Sequence, residues 1–206
     1  MPVGFPYKMV EAGLAELHNI APDDVPALRS RFGVFQRGGL LGKPPGRGIR
    51  VQYFPDELHR VVFAFEMTQL NISPTTVLWL VREFWDKRLR EIFIKAERAN
   101  INRTPNVVLF MVGLTAMNGP EEAVPNINQT TIDKLSESFA LAIRGQEDDD
   151  PPARALAVNL SAQLARFHTA LSHYHLRPEM LAELEAKPKG KPRRVSKPRR
   201  RATRSS

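Results

Sequence analysis

Seven of the eleven residues from Gly38 to Gly48 are glycine or proline. Such a segment cannot continue a helix or run as a central strand, because proline has no N–H to donate and glycine loses the most entropy on ordering. It must project as a loop, and the chain on either side has to be built from short elements. Upstream, residues 7 to 18 place Met9, Val10, Ala12, Leu14 and Leu17 among Glu11, Glu16 and His18, the pattern of an amphipathic helix. Asn19 to Asp24 supplies turn formers, and Asp24 with Pro26 reads as the cap and first turn of a second helix running to about Arg37. Gly33 inside that helix costs it about 1 kcal/mol relative to alanine. Downstream, Ile49, Val51 and Tyr53 alternate with Arg50 and Gln52, the period of a half-buried strand. Two helices meeting at a turn and followed by a basic, glycine-rich, hairpin-like wing are expected.

A third helix is expected after Pro55, with Asp56 and Glu57 in its positively polarised first turn and Leu58, Val61, Val62 and Phe65 buried, ending near Leu70. Ser73 and Pro74 restart a helix, and Leu78, Val81, Trp85, Leu89 and Ile92 then recur at steps of three and four along residues 74 to 99. A stripe that long suits pairing between two chains, so a homodimer joined through these five residues is expected. Residues 101 to 178 read as a smaller mixed α/β domain. Val107 to Val112 is a buried strand, Thr130 and Asp133 form a capping box before a helix, Leu156, Val158 and Leu160 alternate as a strand, and Ser161 caps a last helix with Leu164, Phe167 and Leu171.

Charge divides the chain. Residues 1 to 100 carry 14 basic and 11 acidic side chains, residues 101 to 186 carry 6 and 11, and residues 187 to 206 carry 10 and none. A near-neutral body thus bears a separate cationic arm of lysine, arginine, proline, glycine and serine, expected to be disordered when free. There is no cysteine, which excludes disulfides and thiolate metal sites, and no apolar run of membrane-spanning length or secretory signal. A cytoplasmic, nucleoid-associated location is the corresponding expectation.

The order helix, turn, helix, Gly39-Leu40-Leu41, a wing with Gly48, Arg50 and Tyr53, then Asp56-Glu57-Leu58 opening a helix, resembles the DNA-binding half of the mercury-resistance regulator (MerR) family. The likeness is best over residues 39 to 81. Leu70-Asn71-Ile72-Ser73-Pro74 is similar to the family's turn before its next helix, which leads into a dimerising helix. Gly33-Val34-Phe35 stands where the family usually has Arg-Tyr-Tyr, and the wing is one residue longer, with Ile49 after Gly48. The resemblance implies a winged helix-turn-helix that binds double-stranded DNA. The expected architecture is α+β and mainly α: a winged helix-turn-helix at residues 1–73, a long dimerisation helix at 74–100, a small mixed domain at 101–178 open to an effector or protein partner, and a linker with a disordered basic tail at 179–206.

The candidate DNA contacts are Arg29, Arg31, Gln36 and Arg37 on the second helix, facing a major groove, and Lys43, Arg47, Arg50 and Tyr53 in the wing, holding phosphates or reaching a minor groove. Arg193, Arg194, Arg199, Arg200 and Arg201 in the tail add sequence-blind phosphate binding. The plainer alternatives are a solvated basic surface for the helix and wing, and a solubilising terminus or RNA-binding arm for the tail. His168, His173 and His175 lack a carboxylate at ligand spacing in their stretch, so no metal is expected, and no cofactor either. No nucleophile motif, P-loop or dinucleotide fingerprint is present, which points away from an enzyme. Two functions remain: a sequence-specific transcriptional regulator, and an architectural or recombination-accessory, excisionase-like protein that bends or coats DNA.

Overall fold

The computed structural model describes residues 4–41, 52–112, 125–144 and 155–171. Strand β1 (Phe5–Pro6) leads into helix α1 (Tyr7–Leu17), and a 3₁₀ turn at Pro22–Asp24 opens helix α2 (Val25–Arg37). Strand β2 (Gln52–Tyr53) precedes α3 (Pro55–Gln69) and α4 (Pro74–Phe84), and a π-helical turn at Trp85–Leu89 joins α4 to α5 (Arg90–Asn102). Strands β3 (Val107–Val112) and β4 (Asn126–Thr131), helix α6 (Leu135–Arg144), strand β5 (Ala155–Asn159) and helix α7 (Leu160–Ala170) complete a mainly helical α+β chain. Among the described residues no helix is long and apolar enough to cross a membrane.

Helices α1, α2 and α3 end by the same local device, which also closes α5, where Arg103 has a φ of 53° and the Thr104 amide reaches the Ala99 carbonyl at 3.1 Å. Asn19, Gly39 and Asn71 adopt positive φ of 51°, 83° and 60° directly after the caps of α1, α2 and α3. The amides of Ile20, Leu40 and Ile72 then reach back to the carbonyls of Ala15, Phe35 and Met67 at 2.8, 3.1 and 3.0 Å. Those closures satisfy carbonyls that a helix end would otherwise leave bare, and at α1, α2 and α3 the left-handed residue is asparagine or glycine, the types such a backbone disfavours least. Helix starts are equally local. Glu57 accepts the Phe54 amide at 2.9 Å, and Ser73 Oγ accepts the Thr76 amide at 3.1 Å ahead of Pro74.

The strand expected from Ile49 to Tyr53 is described only at Gln52–Tyr53, and its partner is the start of the chain. Phe5 pairs with Tyr53 and Pro6 with Gln52, antiparallel. In the second sheet β3 is central, antiparallel to β4 on one side and β5 on the other. Two expected caps are corrected. Thr130 lies in β4, where its Oγ1 accepts from Ser138 Oγ at 2.7 Å, so it caps nothing. Asn159 caps α7 by accepting the Ala162 amide at 3.1 Å, which frees Ser161 Oγ to accept the Val107 amide at 2.9 Å and tie α7 to β3.

One apolar core runs through the described chain. It joins Val10 and Leu14 of α1, Phe32 of α2, Phe65 of α3 and Phe93 of α5 to Leu109 of β3, Val158 of β5 and Phe167 of α7. Helix α7 packs on α1 closely enough that a Cβ on Gly13 would lie 2.9 Å from Leu171 Cδ2. The core therefore crosses the boundary drawn between residues 100 and 101 without a break. The stripe assigned to a dimer is also corrected: Val81, Trp85, Leu89 and Ile92 are 5, 2, 0 and 3% exposed within the single chain, and Leu78 packs over Gly38. Two successive four-residue steps, Val81 to Trp85 to Leu89, overrun a 3.6-residue turn, and the wide π turn takes up the excess so that all four stay buried.

Candidate nucleic-acid interface

Helix α2 buries Leu28, Phe32 and Phe35, spaced by four and three, and leaves Pro26, Ala27, Ser30, Arg31 and Arg37 exposed. The buried side is held by rings. Phe32 meets Tyr7 edge-on at 5.1 Å and Tyr53 at 5.7 Å, and Phe35 meets Phe65 at 5.6 Å, so α1, β2 and α3 all fix the orientation of α2. Each such pair adds roughly 0.5–1.5 kcal/mol beyond the area it buries. From Val25 to Leu41 there is no acidic residue. The open side of α2 therefore carries Arg31 and Arg37 without a neighbour on its own helix to neutralise them. Gly33 leaves space beside the Arg37 guanidinium, whose Nη1 would lie 3.3 Å from a Cβ placed there.

Three of the sequence-derived contacts are committed elsewhere. Arg29, although exposed, is gripped by Glu11 of α1, Nε to Oε2 at 2.8 Å and Nη2 to Oε1 at 2.9 Å. That hydrogen-bonded pair raises the guanidinium pKa and lowers that of the Glu11 carboxyl, so its charge is largely offset before any polyanion approaches. Gln36 donates from Nε2 to the Tyr53 hydroxyl at 2.6 Å, and Tyr53 is 1% exposed. Burial pushes the Tyr53 hydroxyl pKa up, and the ring belongs to the core and to the α2–β2 seam, not to a phosphate contact. Lys43, Arg47, Arg50, Arg193, Arg194, Arg199, Arg200 and Arg201 lie outside the described residues, as do His173 and His175.

Two polar clusters among the described residues are ones that the sequence reading did not pick out. Glu97 of α5, 1% exposed, accepts on Oε1 from His59 Nε2 of α3 at 2.9 Å and from His168 Nε2 of α7 at 2.8 Å. Burial alone would raise its pKa, but the two histidine bonds prevail and bring it to about 2. Glu66 of α3 and His18 after α1 approach only to 3.7 Å, both nearly covered. Burial pushes Glu66 up to about 7 and His18 down to about 4, with the Arg166 charge acting against the first shift and with the second. The available signal was an acid embedded in an apolar run, Phe63-Ala64-Phe65-Glu66-Met67 and Ile92-Phe93-Ile94-Lys95-Ala96-Glu97. Among the described residues no group of three or more His, Asp or Glu is placed to hold a metal ion. No protein-family model, curated protein or solved structure matches the chain.

Proposed function

We propose that the chain binds double-stranded DNA through the open face of α2 and the wing that follows it, acting as a sequence-specific regulator. The observation that carries this reading is α2 itself: a helix clamped on one side by an aromatic core and presenting Arg31 and Arg37 on an acid-free outer side. A rigid helix with exposed arginines is what major-groove readout requires, since Arg bonds two acceptors on a guanine edge in fixed geometry. Lys43, Arg47 and Arg50 of the glycine-rich segment add phosphate contacts, where absent side chains let the backbone approach. The tail's ten cations supply a sequence-blind clamp. Supporting residues are Gln36, Tyr53, Arg29 and Glu11, which set the position of α2 and touch no base.

Selection of bound duplexes from a random library with the full chain tests the reading. Enrichment of one motif is expected, with Arg31→Ala and Arg37→Ala each costing roughly 1–3 kcal/mol on that motif where a base contact is lost. Replacing Arg193, Arg194, Arg199, Arg200 and Arg201 by Gln should weaken motif and random duplex alike and flatten the salt dependence by up to about 4 to 5. Equal binding to all duplexes would favour the architectural alternative. Loss of no affinity in either arginine variant would refute a role for α2.

A further inference from the structure

Helices α5 and α7 lie side by side, joined by the Glu97–His168 bond and by Asn100 Nδ2 donating to the Ser161 carbonyl at 2.9 Å. Between them opens a cavity of about 460 Å³, lined by Glu97, Asn100 and Arg103 from α5 and its cap, and by Ala165, His168 and Thr169 from α7. That volume is in the range that holds small organic ligands. Beside the apolar Ile101 and Ala165, the wall carries several hydrogen-bond acceptors. Both histidine bonds fall on Glu97 Oε1, so Oε2 keeps its accepting capacity. Asn100 spends one of its two amide N–H groups on Ser161 and keeps Oδ1 as an acceptor. Thr169 spends its hydroxyl proton on the Ala165 carbonyl at 3.0 Å, so its oxygen can only accept. Three acceptors, one of them a buried carboxylate held ionised by two histidines, line the space beside the C-terminal end of α5, where the helix dipole also favours positive charge. Among the described residues the one Lys or Arg lining it is Arg103, exposed at the helix cap.

We propose that this cavity binds a small zwitterion of the free amino-acid class, its primary ammonium donating to Glu97, Asn100 and Thr169 and its carboxylate turned toward Arg103. A primary ammonium has three N–H donors and no acceptor, which matches the three acceptors Glu97 Oε2, Asn100 Oδ1 and the Thr169 hydroxyl oxygen. Arg103 opposes a bare polycation and supplies the site for the ligand's anionic end. A buried carboxylate is costly to keep without partners on every lone pair, and an ammonium completes the set that the histidines begin. The site is independent of any contact with DNA.

The test is calorimetric titration of the full chain with three probe panels: free L-amino acids, alkyl monoamines, and carboxylic acids lacking an amine. At least one amino acid is expected to bind, with both other panels weaker. Arg103→Asn, chosen because asparagine tolerates the φ of 53° at that residue, and Thr169→Val should each weaken the binding about ten-fold, and Glu97→Gln at least as much. His168 ring resonances should shift on addition of the amino acid that binds. No binding by any amino acid overturns the proposal. So does equal binding of the amine-free acids or of the monoamines, and so do unchanged affinities in both Arg103→Asn and Thr169→Val, two exposed-side changes that leave the core intact.

Discussion

The Arg29 guanidinium is held on two prongs by the Glu11 carboxylate, at 2.8 and 2.9 Å, and this pair staples α2 to α1 across eighteen residues of sequence. A cation so engaged contributes little to the outer potential of α2. Arg29→Ala is therefore expected to leave the salt dependence of DNA binding unchanged, whereas Glu11→Gln, which removes the neutralising partner and keeps the shape, should steepen it by up to about 0.9 through one more phosphate contact. Affinity measured against salt for both variants decides it; a flatter curve in Arg29→Ala would show that Arg29 contacts phosphate after all.

Gly38 and Gly39 sit side by side for different reasons. A Cβ on Gly38 would collide with Leu78 Cδ1, while Gly39 has open space but a φ of 83°. Gly39→Ala should cost about 1–2 kcal/mol from backbone strain alone. Gly38→Ala should cost more, about 1–3 kcal/mol of overpacking, and a shorter side chain at residue 78 should recover part of it. Urea unfolding of Gly38→Ala, Leu78→Ala and the double variant gives the coupling; strict additivity would mean the two residues do not touch.

Asp56 gathers three donors at the start of α3: Trp85 Nε1 at 3.1 Å, Arg90 Nε at 3.0 Å and Arg60 Nη2 at 2.9 Å, with the Arg60 guanidinium also 5.2 Å above the Trp85 ring. It thereby pins the π turn to α3. Asp56→Ala should destabilise by roughly 2–4 kcal/mol, since it strands a buried indole N–H and removes the carboxylate facing Arg90, whose side chain is 12% exposed. Asp56→Asn keeps an acceptor and should cost less. Equal losses in the two variants would show that the site senses only the helix dipole.

What could be read from the sequence is what is decided within a few residues. Pro55, Ser73 and Pro74 mark helix starts because capping is local chemistry, and the Gly/Pro run from Gly38 ended α2 where the structure ends it. Asn126–Thr131 gave no strand signal: Asn-Ile-Asn-Gln-Thr-Thr has a poor strand composition, and its conformation comes from pairing with Val107–Val112. Periodicity told that Trp85, Leu89 and Ile92 share a buried face but not what covers it, and the cover proved to be the same chain. Glu11 with Arg29, Glu97 with His59, and Glu97 with His168 are partners 18, 38 and 71 positions apart, beyond any spacing rule.

Two of the buried carboxylates, Glu66 and Glu97, move in opposite directions, so their stability signatures differ in sign. Glu66 rises from 4.5 to about 7 because its surroundings disfavour the charge. The folded state then holds more protons than the unfolded one between those values, and stability falls as pH rises from 4.5 to 7 and stays low above. Glu66→Gln mimics the protonated form. It should match the parent near pH 4 and exceed it above pH 7, by at most about 3 kcal/mol. His18, lowered to about 4, works the other way: the unfolded state binds its proton between about 4 and 6.5, so stability gains as pH rises through that window and partly masks the Glu66 loss in the parent chain. Glu97, lowered to about 2 by its two histidine bonds, contributes stability that is complete above 4.5 and lost as pH falls toward 2. Glu97→Gln should accordingly be weaker than the parent at pH 7, by at most about 3 kcal/mol, with the gap closing in acid. Urea midpoints from pH 3 to 8.5 for the three chains carry the test. A Glu66→Gln difference that does not change with pH would mean that Glu66 stays ionised, or stays protonated, across the range.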